Sequence, residues 1–332
     1  MPITDVPSAA NLDDSRRLVV IQRNPRSGSG HGAKELITLV RCLRQRGFRV
    51  RMFADRRRMD SFLASDETWR QIRCIVAAGG DGTVGDVLNR QPHHPIAVLP
   101  LGTENLLARY LQIHRDGTSV ALMIERGLIK EFDTGIVTAC RSPAGESNSS
   151  VPVPHWDHGD SHRFLLMASA GIDSAVVNLL HQNRTGHITH FSYVQPVLKA
   201  LFGTQLSKLT VLDEAGRPLA SGSHVIFTNI PEYGFRLKFA PDADPGDGML
   251  NLTVFHKGSR WESMKHMLRL RWGQQHPTGT VSHFHGQHFY LTAANSETRL
   301  QCDGDPSLRC PVRVSVAAGS IKLLVPENRS PQ

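Results

Sequence analysis

Residues 74–89 read CIVAAGGDGTVGDVLN, and this segment indicates the class of fold. Its first part is apolar and typical of a buried strand, its middle is rich in glycine, and a helix is predicted to begin directly afterwards. Glycines at the end of a parallel strand let the backbone approach a phosphate closely, and the next helix offers free N–H groups at its N-terminus. The segment therefore predicts a phosphate-binding loop in an α/β sheet.

An acidic residue, Asp81, lies inside this predicted phosphate loop. A carboxylate there would repel a nucleotide unless a divalent cation lay between the two, so Asp81 predicts Mg²⁺ bridging the phosphates. A tight structural turn is the alternative interpretation. Two similar loops elsewhere in the sequence favour the phosphate site.

Two other predicted strands end in polar, glycine-containing loops. NPRSGSG (24–30) follows the first strand and LPLGTEN (99–105) follows the fourth. The carboxyl ends of parallel strands form the edge at which open α/β sheets bind ligands. Neither a GxxxxGK[ST] sequence nor a GxGxxG sequence is present, so the three loops predict a nucleotide site of another kind.

The first 130 residues alternate short apolar runs with amphipathic stretches, which predicts a doubly wound parallel sheet with helices on both faces. The predicted strands are 18–22, 48–53, 72–78 and 96–100. The predicted helices are 33–46, 59–70, one after 82, 104–111 and 117–126.

The pattern changes after about residue 130 to β-rich segments separated by turns, which predicts a second, mainly antiparallel β-rich domain. We expect a nucleotide-binding domain of residues 1–135, to which about 311–332 return, and a β-rich domain of residues 136–310. The polar, proline-containing segment 141–163 is predicted to be a mobile surface insertion. The predicted strands are 164–170, 224–230, 249–255, 288–293 and 313–318.

Net charge and composition indicate which classes of partner the chain can bind and in which cellular compartment it lies. The chain of 332 residues carries 38 Lys+Arg against 30 Asp+Glu, a net charge of +8 that favours an anionic partner. Its arginine-rich stretch, 41–58, lacks interleaved aromatic residues and any DNA-reading motif, so nucleic acid is not the expected partner. No apolar run approaches the roughly 20 residues of a membrane span, and no secretory signal is recognisable, so a cytoplasmic protein is predicted.

The number and spacing of the cysteines give no sign of disulfide bonds or of a zinc site. Five cysteines, an odd number without a CxxC pair, indicate neither a disulfide framework nor a zinc site. We therefore expect reduced, partly buried thiols.

Taken in order, NPRSG, GGDGT and PLGTEN resemble the motifs of the diacylglycerol kinase catalytic domain family, which includes bacterial lipid kinases, sphingosine kinases and ceramide kinases. The resemblance continues in GID (171–173), PGDGML (245–250) and DGDP (303–306), and so covers most of the chain. It implies ATP-dependent transfer of the γ-phosphoryl group to a lipid hydroxyl, in a cleft between a nucleotide domain and a β-rich lipid domain. It also implies a lipid substrate reached by peripheral contact with a membrane surface, and similar bacterial proteins form homodimers.

The resemblance assigns ATP-binding roles to residues at matching positions. Asn24 would brace the phosphate loop, and Asp55, just after the second strand, would make a further polar contact with the nucleotide. The residues implied for ATP binding are Asn24, Ser27, Gly28, Asp55, Gly79, Gly80, Asp81, Gly82, Thr83, Gly102, Thr103 and Asn105.

The resemblance also implies the catalytic carboxylates. In the family, an Asp-Gly-Glu motif supplies the base that accepts the hydroxyl proton, and here that motif reads Asp303-Gly304-Asp305. In a strand, residues 303 and 305 would share a face, so one would serve as the base and the other would orient it or the metal. With Asp81, these two residues are the predicted catalytic residues.

Cation ligands are implied at two further places. Asp133 matches an aspartate of a water-mediated carboxylate–Mg²⁺ network in the family. Asp244, Asp247 and the backbone of Met249 match a loop that holds a structural cation in some bacterial members, and hard oxygen ligands suit Mg²⁺ or Ca²⁺. A plain Asp/Gly turn is the alternative for this loop.

Three positions depart from the family pattern and keep other functions open. Leu106 stands where bacterial lipid kinases usually carry an aspartate, Gly85 stands where asparagine is common, and Asp305 is one methylene shorter than glutamate. They motivate one alternative, a nucleotide-binding regulator with weak catalysis. A second alternative is an NAD kinase, which shares GGDGT and the two-domain plan, although NPRSG and PLGTEN are closer to lipid-kinase loops.

Overall fold

The computed structural model describes residues 10–24, 31–141, 157–171, 174, 207–233, 237–256 and 279–327. The chain divides into two units. The first comprises Met1–Phe132 and Gly319–Gln332, and the second comprises Asp133–Ala318.

Six helices and nineteen strands are formed by the described residues. The helices are α1 (His31–Gln45), α2 (Arg56–Leu63), α3 (Asp66–Gln71), α4 (Asp81–Arg90), α5 (Leu106–Tyr110) and α6 (Gly117–Arg126). The strands are β1 (Ala10–Asn11), β2 (Leu18–Arg23), β3 (Arg49–Phe53), β4 (Ile72–Gly79), β5 (Ile96–Pro100), β6 (Leu128–Arg141), β7 (Asp157–Phe164), β8 (Met167–Ala170), β9 (Leu209–Leu212), β10 (Pro218–Gly222), β11 (His224–Thr228), β12 (Glu232–Tyr233), β13 (Leu237–Lys238), β14 (Leu250–Phe255), β15 (Val281–Gly286), β16 (His288–Ala293), β17 (Arg299–Cys302), β18 (Asp305–Arg309) and β19 (Val312–Leu324). Over the described ranges, no helix has both the length and the apolar character needed to cross a membrane.

The first unit contains a parallel sheet in the order β19-β5-β4-β2-β3. β2 pairs in parallel with both β3 and β4, and β4 pairs in parallel with β5. The end of β19 joins β5 through Leu323 and Ile96. All eight residues of β4 are buried, as expected for a central strand that is covered on both faces. The doubly wound sheet predicted from the sequence is confirmed.

The segment predicted as one helix over 59–70 forms two helices, α2 and α3. α2 begins earlier than predicted, because Asp55 is its N-cap residue and accepts a hydrogen bond from the backbone N–H of Arg58 at 3.0 Å. Ser65 occupies the N-cap position of α3, whose first turn is acidic. Serine at the N-cap and acidic residues in the first turn both favour a new helix start, and these two signals explain the break.

The second unit is built from antiparallel strands in two main sheets. One sheet contains the order β10-β9-β16-β19, and the other has the order β15-β14-β11-β8-β17-β18. Buried side chains from both sheets form one core, in which the rings of Phe227 and Phe289, one from each sheet, have centroids 5.7 Å apart. The mainly antiparallel, β-rich part predicted from the sequence is confirmed.

Two predicted segments of the second unit are different in the structure. The strand expected over 164–170 is divided, because β7 ends at Phe164 and β8 begins at Met167. Of the expected insertion at 141–163, residues 142–156 lie outside the described part, whereas the residues from 157 onward form β7 and pair with β6. Among the described strands β7 pairs with β6 alone. Its free edge tolerates polar residues, which is why its composition resembled that of a loop.

The five cysteines are free thiols, and all of them are buried, which is deeper burial than the sequence led us to expect. Burial raises the pKa of the Cys74 and Cys310 thiols to about 12. Both are therefore protonated and unreactive near neutral pH.

Candidate functional site

The loop between β4 and α4 is very short, and Gly79 has no room for a side chain. Gly79 ends β4, Gly80 is the N-cap residue of α4, and the N–H of Thr83 donates to the carbonyl of Gly80 at 2.8 Å. A Cβ on Gly79 would lie 2.1 Å from Thr83 Oγ1. Because Gly80 has no side chain, it cannot cap the first N–H groups of α4, and such groups are the ones that bind anions at helix N-termini.

The loop that follows β5 packs directly on this first loop. The N–H of Leu101 donates to the carbonyl of Gly79 at 2.8 Å, and a Cβ on Gly102 would lie 2.5 Å from the Cα of Gly80. Asn105 is left-handed, with φ +47°. Its side chain accepts a hydrogen bond from Gly102 N at 2.9 Å and donates one to Gly102 O at 2.8 Å. The structure thus brings two of the predicted nucleotide loops together, and part of their glycine content serves contact between the backbones.

Asp81 ties these two loops to each other through its carboxylate. Its oxygens accept hydrogen bonds from Leu106 N at 2.9 Å and Leu107 N at 3.1 Å, the first residues of α5. Burial raises the pKa of this carboxyl group, the two backbone hydrogen bonds oppose the shift, and the charge of Glu104 adds to it. Sequence reasoning missed this bracing role. The predicted contact between Asp81 and Mg²⁺ stays a prediction, for which each oxygen keeps further acceptor capacity.

Asn24 ties the loop after β2 to the same place. Its backbone N–H donates to Ala78 O at 3.2 Å, and its side-chain Nδ2 donates to Thr83 Oγ1 at 3.4 Å. Asn24 therefore contacts the GGDGT segment on both its strand side and its helix side. Ser27 and Gly28, predicted in the same loop, lie outside the described residues.

The remaining predicted nucleotide contacts differ in accessibility and in role. Gly82 and Thr103 are exposed, so a ligand can reach their backbone groups. Asp55 is also exposed, and its bond from the N–H of Arg58 lowers the pKa of its carboxyl group. In the described part of the chain Asp55 makes no hydrogen bond to the glycine loops and acts as the cap of α2. Its contact with a nucleotide stays a prediction.

Arg115 is a residue of this site that sequence reasoning missed. It lies between α5 and α6, and its guanidinium donates from Nε to Pro100 O at 2.9 Å and from Nη2 to Gly102 O at 2.6 Å. The partners are 15 and 13 positions away in the sequence, so no local pattern signals the contact.

In the second unit, Asp303 and Gly304 form the turn of the hairpin that joins β17 and β18. Their φ angles are +50° and +86°, and Cys302 pairs with Asp305 across the turn, which is the pattern of a two-residue type I′ turn. The expectation that Asp303 and Asp305 share the face of one strand is therefore wrong. The Asp-Gly dipeptide between apolar residues was itself the signal for such a hairpin.

The carboxylate of Asp303 holds the backbone between β7 and β8. Its Oδ2 accepts a hydrogen bond from Leu165 N at 2.7 Å, and its Oδ1 accepts from Leu166 N at 2.8 Å and Met167 N at 2.9 Å. These three bonds hold the carboxylate in one orientation. Of the two roles predicted for this pair of carboxylates, Asp303 therefore suits the orienting role.

Asp305 is the first residue of β18 and is partly exposed. His162 of β7 lies within electrostatic range of it: burial lowers the pKa of the His162 imidazole, and the charge of Asp305 raises it. With Asp303 engaged by three backbone N–H groups, Asp305 is the better candidate for the base. Its role stays a prediction.

Asp133 organises the loop in which further cation ligands were predicted. Its Oδ2 accepts a hydrogen bond from Gly248 N at 2.7 Å, and Oδ1 of Asp247 accepts one from Met249 N at 2.8 Å. Burial raises the pKa of Asp247, and the charges of Asp244 and Asp133 add to the rise. No group of three or more His, Cys, Asp or Glu side chains within the described ranges is arranged to hold a metal ion. The cation site of this loop therefore stays a prediction.

Each half of the chain matches the model of a known protein family. Residues 17–137 match the family model of the diacylglycerol kinase catalytic domain. Residues 167–325 match that of the YegS C-terminal NAD kinase beta sandwich-like domain. These matches cover the segments in which the glycine loops and the Asp303–Asp305 hairpin lie.

Relatives and solved structures agree with these matches. A diacylglycerol kinase of Mycobacterium tuberculosis (strain ATCC 25618 / H37Rv) is 22% identical over 309 residues, which are 92% of this chain and 94% of the relative. A diacylglycerol kinase of Bacillus subtilis (strain 168) is 24% identical over 327 residues, with coverage of 93% and 96%. The crystal structure of a diacylglycerol kinase from Bacillus anthracis superimposes with a TM-score of 0.64 at 16% identity, over 93% of this chain and 97% of that chain. This last likeness establishes the fold.

Proposed function

Because the chain belongs to the diacylglycerol kinase catalytic domain family and is a lipid kinase, we propose that it transfers the γ-phosphoryl group of ATP, bound with Mg²⁺, to the hydroxyl of a diacylglycerol- or sphingoid-type lipid. The observation that carries the proposal is the contact between the two glycine loops at the carboxyl edge of the parallel sheet, directly before α4. This is the place at which open α/β sheets bind phosphorylated ligands.

In the proposed complex, backbone groups do most of the nucleotide binding. The backbone at the start of α4, including the exposed Gly82, and the exposed backbone at Thr103 would donate to phosphate oxygens. Carboxylate oxygens are ligands that Mg²⁺ accepts, so Asp81 fits the cation. When bound, Mg²⁺ would neutralise charge on the β- and γ-phosphate oxygens.

The proton of the lipid hydroxyl needs an acceptor on the protein. In the proposed reaction the hydroxyl oxygen bonds to the γ-phosphorus as the bond from the γ-phosphorus to the bridging oxygen breaks, ADP leaves, and the proton passes to the carboxylate of Asp305. Asp303 fixes the hairpin through its three backbone hydrogen bonds and so orients Asp305. Phosphoryl transfer depends mainly on alignment and charge neutralisation, so this orientation matters as much as basicity.

The acceptor is a membrane lipid, so we also propose peripheral contact with a membrane surface. The net charge of +8 favours an anionic surface. An enzyme in contact with the bilayer can reach the hydroxyl of a diacylglycerol without extracting the whole lipid.

The test measures phosphoryl transfer to lipids and, in a parallel incubation, to NAD as the alternative acceptor. The protein is incubated with radiolabelled ATP, Mg²⁺ and either a mixed lipid extract or NAD, and labelled products are identified by mass. We expect label in a lipid, and its loss when EDTA removes the divalent cation. Label that appears only in NADP would establish an NAD kinase instead, and saturable ATP binding without transfer would establish a nucleotide-binding regulator.

A further inference from the structure

Arg115 contacts the nucleotide loops although it belongs to none of the motifs. It is exposed, yet its guanidinium is fixed by hydrogen bonds from Nε to Pro100 O and from Nη2 to Gly102 O, at 2.9 and 2.6 Å. A guanidinium presents its donors as a rigid planar fork, so the two bonds set the spacing between the two carbonyl groups. Holding a long exposed side chain costs rotamer entropy, and the two charge-assisted bonds offset that cost.

One of the two carbonyl groups that Arg115 contacts, that of Gly102, lies where the two glycine loops touch. Gly102 O also accepts a hydrogen bond from Asn105 Nδ2 at 2.8 Å. The backbone of Gly102 lies so close to Gly80 that a Cβ on Gly102 would be 2.5 Å from Gly80 Cα. A displacement of Gly102 therefore acts directly on Gly80, which is the N-cap residue of α4.

The charge of Arg115 has a second consequence for a polyanionic ligand. Two carbonyl oxygens at the carboxyl edge of the sheet carry partial negative charge, which opposes a bound triphosphate. The guanidinium bonded to both oxygens offsets that charge. The PLGTEN loop is thus held in place and made less repulsive to phosphate by one side chain.

We propose that Arg115 is a positioning residue for ATP: its guanidinium holds the 99–105 loop against Gly80 and offsets the charge of two carbonyl oxygens beside the triphosphate. The proposal rests on the proposed function only in taking ATP as the ligand of this edge. It adds a determinant of nucleotide affinity that no motif contains.

The test measures equilibrium binding, which needs no lipid. The ATP dissociation constant of the full chain is obtained by displacing a fluorescent ATP analogue in the presence of Mg²⁺. We expect about a tenfold weaker affinity for Arg115→Met, since hydrogen bonds to charged groups exceed ordinary ones in strength and this one is exposed. Arg115→Lys, with one point-like donor group, should recover part of the loss. Added methylguanidine should restore affinity to the Met variant and leave the wild type unchanged.

Arg126→Met is the matched control. Arg126 is an exposed arginine of the same unit, paired with Glu327. The variant therefore loses the same charge without touching the loops, and its ATP affinity should equal that of the wild type.

Kinetics provide a second readout. The KM for ATP should rise in Arg115→Met while the KM for lipid stays constant. A purely structural defect would change both KM values and would not respond to methylguanidine.

Unchanged ATP affinity in a folded Arg115→Met variant would overturn the proposal. If that variant does not fold, wild-type affinity in Arg115→Lys would overturn it equally, because one ammonium group cannot reproduce the fork. A wild-type protein that binds ATP but phosphorylates no lipid would contradict the proposed function alone and leave the role of Arg115 intact.

Discussion

Gly102 shows how a single hydrogen atom in place of a methyl group can set the geometry of a ligand site. A Cβ at this position would meet the backbone of Gly80 at 2.5 Å and Asn105 Oδ1 at 2.8 Å, and backbone atoms cannot turn aside as a flexible side chain can. We expect Gly102→Ala to lower the free energy of unfolding by about 1–3 kcal/mol and to weaken ATP binding. Urea unfolding and the same displacement titration measure the two effects.

Gly85 provides the matched control for that substitution. It also lies in the first unit, within α4, but a Cβ there would meet no atom within 4 Å. Alanine is favoured over glycine in a helix, so Gly85→Ala should raise the free energy of unfolding by about 0.5–1 kcal/mol. Equal destabilisation by both substitutions would contradict the importance of the contact between Gly80 and Gly102.

The two carboxylates of the hairpin should separate into one that stabilises and one that reacts. Asp303→Asn removes the charge from three backbone hydrogen bonds and should cost about 1–3 kcal/mol of unfolding free energy, with a secondary loss of turnover. Asp305→Asn should lower kcat by about 100-fold or more. Thermal unfolding and lipid phosphorylation measure the two effects. Full turnover in Asp305→Asn would rule out Asp305 as the base.

At the scale of elements, packing between α3 and the connection from α4 to β5 contains a titratable group. His94 is 3% exposed, and its ring lies 3.9 Å from that of Trp69. Burial lowers the pKa of His94 to about 4, and the charges of His93 and Arg16 add to this shift. The folded protein therefore keeps the imidazole neutral in a pH range in which the unfolded chain protonates it.

The sign of the resulting pH dependence follows from the protons bound in each state. Between the unfolded pKa of about 6.5 and the folded pKa of about 4, the unfolded chain binds more protons, so stability falls as the pH is lowered. We expect His94 to contribute a loss of about 3 kcal/mol across this window. Urea unfolding at pH 7.5 and pH 4.5 should show a smaller difference in His94→Gln than in wild type. His93→Gln removes only the smaller contribution of the neighbouring charge, so it should keep most of the wild-type difference.

Some elements follow from the sequence alone because their determinants are local. β5 and α6 begin and end where the pattern predicts, since a buried apolar run and a capped amphipathic helix each contain their own signals. The division of α2 from α3 also had local signals, which the apolar periodicity obscured. β19 runs to Leu324, within the segment of about 311–332 that was expected to return to the nucleotide-binding domain. Its pairing with β5, β6 and β16 joins strands that are distant in sequence, and no local pattern indicates those partners.

The same distinction between local and distant determinants applies to the candidate site. The two glycine loops in the described part of the chain, after β4 and β5, could be predicted because each combines a strand end with a motif. The contact of Asp81 with α5, the hold of Asp303 on the bend after β7, and the bonds from Arg115 join residues between 13 and 138 positions apart. A carboxylate in a motif looks reactive in a sequence, and only the folded chain reveals the N–H groups that engage it.

At the scale of the whole molecule, we expect the effect of ATP on hydrogen exchange to be largest in the two glycine loops after β4 and β5. A ligand that binds only the folded site lowers the population of the open state by a factor of one plus the ligand concentration divided by its dissociation constant. The rate of hydrogen exchange falls by the same factor. We therefore expect Mg·ATP at 100 times its dissociation constant to slow hydrogen exchange about 100-fold in peptides that contain residues 79–84 and 101–107.

Hydrogen exchange and the lipid phosphorylation assay together separate the three functions that the sequence left open. A lipid kinase and a regulator both predict protection by Mg·ATP, but only the kinase also phosphorylates lipid. An NAD kinase predicts additional protection by NAD, for which ATP without a divalent cation and NAD alone are the controls. Protection by NAD but not by Mg·ATP would contradict the nucleotide assignment of the glycine loops, whereas protection by Mg·ATP that disappears in Gly102→Ala would tie ATP binding to the contact between the two loops.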